Sequence, residues 1–118
     1  MKKHRKIKMP LYPLSLIINF DPLNHGELCD DGVESDLERY SAVVQYNPKK
    51  GHVTVTFDPK EYGVGVLSHE SVHVAWKVLE LCGVECYCDN HEALAYLVGW
   101  VSKTIENYRL DLVRKGAL

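Results

Sequence analysis

No stretch of this 118-residue chain is long and apolar enough to span a bilayer. A dominant charge is also lacking. Its 14 Lys and Arg stand against 16 Asp and Glu, a formal net charge of −2, which gives no global drive toward nucleic acid or an anionic membrane. There are no internal repeats, no low-complexity tracts and no compositional signature of disorder. The basic start followed by residues 14–20 does not make a secretion signal, because Pro10, Pro13 and Asn19 interrupt the apolar stretch and no small-x-small cleavage site follows. A cytosolic location is therefore expected. Cysteine is sparse: Cys29, Cys82, Cys86 and Cys88. Without a secretory context a disulfide framework is not expected. Cys86 and Cys88 are too close in sequence to pair well, and Cys82-x3-Cys86-x-Cys88 is not a zinc-ribbon spacing. The cysteines read as small buried apolar residues.

What is present suits a single compact domain over residues 1–118, with length enough to bury a core unaided. Residues 1–9 form a basic run, read as a tail, and residues 21–38 carry most of the local acid, read as a loop with a helical turn around Ser35–Arg39. Leu14–Phe20 reads as a first strand, ended by Asp21-Pro22. Tyr40–Tyr46 and His52–Phe57 are rich in β-branched and aromatic residues, and Asn47-Pro48-Lys49-Lys50-Gly51 between them is a turn sequence. They predict an antiparallel hairpin, so the sheet region covers residues 14–59. From Val64 the apolar period becomes helical, with Leu67, Val74, Val78 and Leu81 on one stripe and His69, His73, Trp76 and Glu80 on another. Gly83 supplies a stop. Asp89 looks like an N-cap with Glu92 in capping-box position, opening a second helix to about Arg114. The expected fold is α+β: a small antiparallel sheet packed on two long helices, the helices filling residues 64–115.

The chemistry lies in Ser68-His69-Glu70-Ser71-Val72-His73, a His-Glu-x-x-His pattern on the first of these helices. Residues four apart share a helix face at about 5–6 Å, so both imidazoles can reach one Zn²⁺ at about 2.0–2.1 Å. Glu70, pointing elsewhere around the helix, is left to act on a metal-bound water. A catalytic zinc needs a third protein ligand and an open position. Glu92 is the best candidate, separated from His73 by eighteen residues and near the start of the neighbouring helix. His91 is a rival ligand. The plainer alternatives are a surface histidine pair, a solvated Glu70, and a Glu92 that only caps its helix for about 1 kcal/mol. Trp76 and Trp100 read as core or interface residues, and His4, His25 and His52 as bystanders.

His-Glu-x-x-His, eighteen intervening residues and a Glu on a second helix resemble the gluzincin metallopeptidases. The segment Asn90-His91-Glu92-Ala93 is similar to the Asn-x-Glu or Asn-Glu segment of gluzincins, and Glu92–Trp100, with the short length, resembles small phage and prophage proteins that carry a minimal domain of this kind. The resemblance covers roughly residues 40–100. It implies a minimal zincin-like domain with Zn²⁺ as cofactor, metal ligands His69, His73 and Glu92, and Glu70 as general base. It also implies a peptide or protein substrate laid along the edge of the hairpin sheet. The residue steadying the oxyanion is not assigned; Tyr62, Tyr87, Tyr96 and His91 are all candidates. Nucleic acid and membrane are not expected partners. Two other readings stay open: an inactive zincin-like module that sequesters a host protein, and a structural α+β domain forming a homo-oligomer through its apolar second helix.

Overall fold

A computed structural model describes residues 2–29 and 41–118. The helical turn expected around Ser35–Arg39 lies outside the described residues. The elements run β1 (His4–Lys8), β2 (Ser15–Asn19), a 3-10 turn (Pro22–Asn24), α1 (His25–Cys29), β3 (Ala42–Asn47), β4 (His52–Phe57), α2 (Val64–Leu81) and α3 (Glu92–Arg114). The fold is α+β, a four-stranded sheet packed on two long helices. Among the described residues, no helix is long and apolar enough to cross a membrane.

The sheet order is β1-β2-β4-β3. The hairpin β3/β4 forms in the expected antiparallel sense, with Val44 opposite Val55. Its turn is closed by Asn47, whose Oδ1 accepts from the N–H of Lys49 (3.0 Å) and Lys50 (3.2 Å), while Gly51 takes φ +64°, where a β-carbon would be strained. Two features differ from expectation. The sheet is mixed, because β2 pairs parallel to β4, Ile18 opposite Val55. The basic run is not a free tail, because His4–Lys8 is strand β1, antiparallel to β2. Arg5 accounts for its anchoring: its guanidinium bonds Asp111 of α3 at 3.2 Å and lies over the Tyr108 ring at 4.5 Å. Lysines on such an edge strand also discourage pairing with another chain.

Strand alternation puts Leu16 and Ile18 of β2 and Val53, Val55 and Phe57 of β4 on one face. Leu67, Val74, Val78 and Leu79 of α2 and Leu97, Val101 and Ile105 of α3 complete that core. Helix α2 lies against β3 and β4 and α3 packs on α2. Cys82 caps α2, Gly83 follows at φ +74°, and Val84 N–H returns to Leu79 C=O at 2.9 Å. This hydrogen-bonded stop matches the predicted Gly83 signal and turns the chain toward α3.

The start of α3 differs from the sequence expectation. The cap position is His91 and not Asp89, with helical backbone angles and no side-chain capping bond. Glu92 is the first helical residue, so the capping box does not form. The cysteines differ too: Cys82 and Cys86 are half-buried free thiols, but Cys88 is exposed.

Candidate metal centre

Helix α2 separates its residues by the surface each meets. Val74, Ala75 and Val78 turn into the core, and His69 and His73 turn outward. One helical turn apart, the two rings converge edge to face with centroids 4.7 Å apart. Their Nε2 atoms are 3.0 Å from each other. Two nitrogens bound tetrahedrally to one zinc at about 2.05 Å stand about 3.3 Å apart. Small ring rotations therefore suffice to place one cation between them. At 3.0 Å one ring can also donate N–H to the other when both are neutral.

Glu70 is not a solvated helix charge. It is 8 % exposed, and its Oε1 is 3.9 Å from His69 Nε2. Burial pushes its carboxyl above the usual carboxylate range, and the neighbouring His69 and His73 act in the opposite direction. A carboxylate held partly dry beside two imidazoles has the features of a proton acceptor.

These three side chains line a groove of about 460 Å³ whose opposite wall is Ala42–Tyr46 of β3, with Lys77 at one end. β3 is an edge strand. Edge strands keep unpaired N–H and C=O groups that can receive an extended peptide. The placement follows from the packing of α2 on β3, which brings the histidine face of the helix beside the sheet edge.

Glu92 is exposed at the first turn of α3 and does not line this groove. Among the described residues, no group of three or more His, Cys, Asp and Glu side chains is gathered to hold a metal ion. The structure thus joins His69, His73 and Glu70 but does not bring Glu92 to them. His91 is likewise exposed, at the cap of α3. Of the oxyanion candidates, Tyr62 packs on Phe20 and Phe57 and donates its hydroxyl to Glu106 at 3.3 Å. Burial, then the Glu106 carboxylate, pushes that hydroxyl up to about 12. Tyr87 and Tyr96 are exposed and outside the groove.

Sequence reasoning missed two residues here. Tyr46 lines the groove from β3, the one tyrosine among the described residues that does so. His25, read as a bystander, is buried: one ring nitrogen is 2.7 Å from Thr56 Oγ1 and the other 2.8 Å from Gln45 Oε1. It ties α1 to Gln45 in the groove wall. No local pattern around His25 signals this, because both partners are distant strands.

No protein-family model, curated protein or solved structure matches the chain.

Proposed function

We propose that the protein is a zinc-dependent hydrolase, a metallopeptidase of gluzincin type, with His69 and His73 as metal ligands and Glu70 as general base. One observation carries this reading: two imidazole nitrogens converge to 3.0 Å beside a buried carboxylate, in a groove walled by a sheet edge. A plain surface pair of histidines explains neither the burial of Glu70 nor the groove.

Bound zinc supplies a Lewis acid and lowers the pKa of water toward about 7. The chain's own groups do the rest. Backbone groups of β3 take an extended peptide by strand addition. Glu70 accepts the proton of the attacking water and passes it to the leaving amine. Tyr46 carries the one side-chain hydroxyl among the described residues lining the groove, and it is the proposed donor to the developing oxyanion. Glu92 is the proposed third ligand: its capping role is gone, its carboxylate is exposed, and its helix packs on α2. Reaching the histidines requires the first turn of α3 to shift.

Metal content and proteolysis of the purified protein test the reading. Glu70→Gln should retain zinc and lose hydrolysis, whereas Glu92→Gln should weaken zinc binding. Full activity in Glu70→Gln refutes the assigned base. A second reading has one observation in its favour, the distance of Glu92 from the histidine pair implied by the missing three-ligand group. An inactive module that captures a host protein would bind its partner stoichiometrically, yield no product, and bind equally well in Glu70→Gln.

A further inference from the structure

The exposed stripe of α2 does not end at the histidines. His69, His73, Trp76 and Glu80 follow at helical spacing, all exposed. Beyond His73 the stripe enters a second groove, of about 630 Å³, between α2 and the link that follows it. Its walls are Trp76 and Glu80 on one side and Glu85, Cys86 and Tyr87 on the other. Trp76 is 48 % exposed and Tyr87 56 % exposed. Trp76, expected in the core or an interface, is not in the core; it presents an indole to solvent.

The link holding the opposite wall is a formed structure. Val84 N–H bonds Leu79 C=O at 2.9 Å at its start. Asn90 braces it further on, accepting from Tyr87 N–H at 2.9 Å and donating to the Glu85 carbonyl. Glu85 and Tyr87 are thus held in place before any ligand arrives. Charge at this end has one sign. From residue 78 to residue 102 the chain has Glu80, Glu85, Asp89 and Glu92 and neither Lys nor Arg. Glu80 is shared with Lys77 at 3.7 Å. The Glu85 carboxylate has no side-chain partner among the described residues.

We propose that this groove binds the cationic side chain of a basic peptide, an arginine or lysine, between the rings of Trp76 and Tyr87 with its charge on Glu85. Aromatic faces attract a cation over the ring, indole most strongly, and a carboxylate at the rim gives the complementary charge. An apolar side chain would bury the rings equally well but would leave the carboxylates uncompensated.

The proposal rests on the metallopeptidase reading only for where the side chain comes from. From His73 to Glu80 the helix rises about 10 Å, which an extended peptide covers in about three residues. A substrate held over the histidines therefore reaches the second groove with a side chain about three positions away. The inference is that cleavage favours peptides with a basic residue at that remove.

The test is titration of the metal-free protein with acetyl-Gly-Arg-Gly-amide and its citrulline twin, followed by isothermal titration calorimetry. The arginine peptide should bind about fivefold more tightly than the citrulline peptide. Trp76→Ala and Glu85→Gln should each remove that preference. Both positions are exposed, so the folds should hold, and an unchanged melting temperature checks this. Equal binding of the two peptides, no binding of either, or a preference that survives both substitutions overturns the proposal. Repeating the titration in His69→Ala separates the two readings. A preference kept there while no peptide is cleaved by the parent leaves the cation groove standing without the peptidase.

Discussion

Zinc should stabilise this protein, and the two histidines should carry most of the effect. His69 has a side chain 68 % exposed, and His73 is exposed beside it. Replacing either by alanine removes no core packing. On a solvent-facing helix position the change favours the helix by at most about 0.7 kcal/mol. Both metal-free variants should therefore melt within a few degrees of the parent. With free Zn²⁺ at about 100 times Kd, binding to the folded form alone adds about 2.7 kcal/mol. For a domain of this size 1 kcal/mol moves the melting temperature by about 4 °C, so the parent should gain about 10 °C. His69→Ala and His73→Ala should each lose most of that gain. Cys88 is an exposed thiol and an alternative zinc ligand, so Cys88→Ser should be run as a control and should keep the full shift. The measurement is thermal unfolding by circular dichroism with and without Zn²⁺. No shift in the parent, or a shift that survives both histidine substitutions, refutes the metal centre.

Leu97 is fully buried between α3 and the core, and Leu97→Ala should cost about 2–5 kcal/mol in urea unfolding. Gly83 takes φ +74° with nothing within 4 Å of an added β-carbon, so Gly83→Ala should cost only the conformational penalty, about 1–2 kcal/mol. Tyr62 has its hydroxyl pushed up from 10.0 to about 12 by burial and by Glu106. The folded state therefore keeps that proton where the unfolded state loses it. Stability present below pH 10 should fall as pH rises toward 12, and Tyr62→Phe should flatten the fall, as read from melting temperatures across that range.

How far the sequence foretold this arrangement depends on how local each signal is. Helix α2 was legible because its apolar period and its Gly83 stop lie within one segment. The β3/β4 hairpin was legible because Asn47 and Gly51 carry the turn. Strand β1 was not, since its run of basic residues reads as a solvated tail and the anchoring of Arg5 by Asp111 and Tyr108 joins opposite ends of the chain. The parallel β2/β4 pair was hidden for the same reason: β3 follows β2 in sequence but lies beyond β4 in the sheet. At the candidate site, the facing of His69 and His73 followed from spacing alone. The burial of Glu70 did not, because it depends on α2 packing against the sheet. The start of α3 was misplaced because Asp89-x-x-Glu92 matches a capping pattern, whereas Asn90 instead folds the link back on Glu85 and Tyr87.

Glu70 is where stability and chemistry pull apart. A carboxylate 8 % exposed gives up hydration, and among the described residues no Lys or Arg pairs with it: its ion-pair neighbour is His69 at 3.9 Å. Burying a charge in this way opposes folding, and the upward push on its carboxyl expresses that cost. The sign follows from the direction. With the folded carboxyl raised, the folded state binds the proton more tightly than the unfolded chain, so stability falls as pH rises above the ordinary value of 4.5. A neutral amide of the same shape escapes this. Glu70→Gln should therefore be more stable than the metal-free parent at pH 7, by on the order of 1 kcal/mol, with the advantage shrinking toward pH 4.5. Hydrolysis should be lost in the same variant. A Glu70→Gln protein less stable than the parent by the same amount at both pH values would show instead that the carboxylate is a structural hydrogen-bonding group, and the general-base assignment would lose its physical basis.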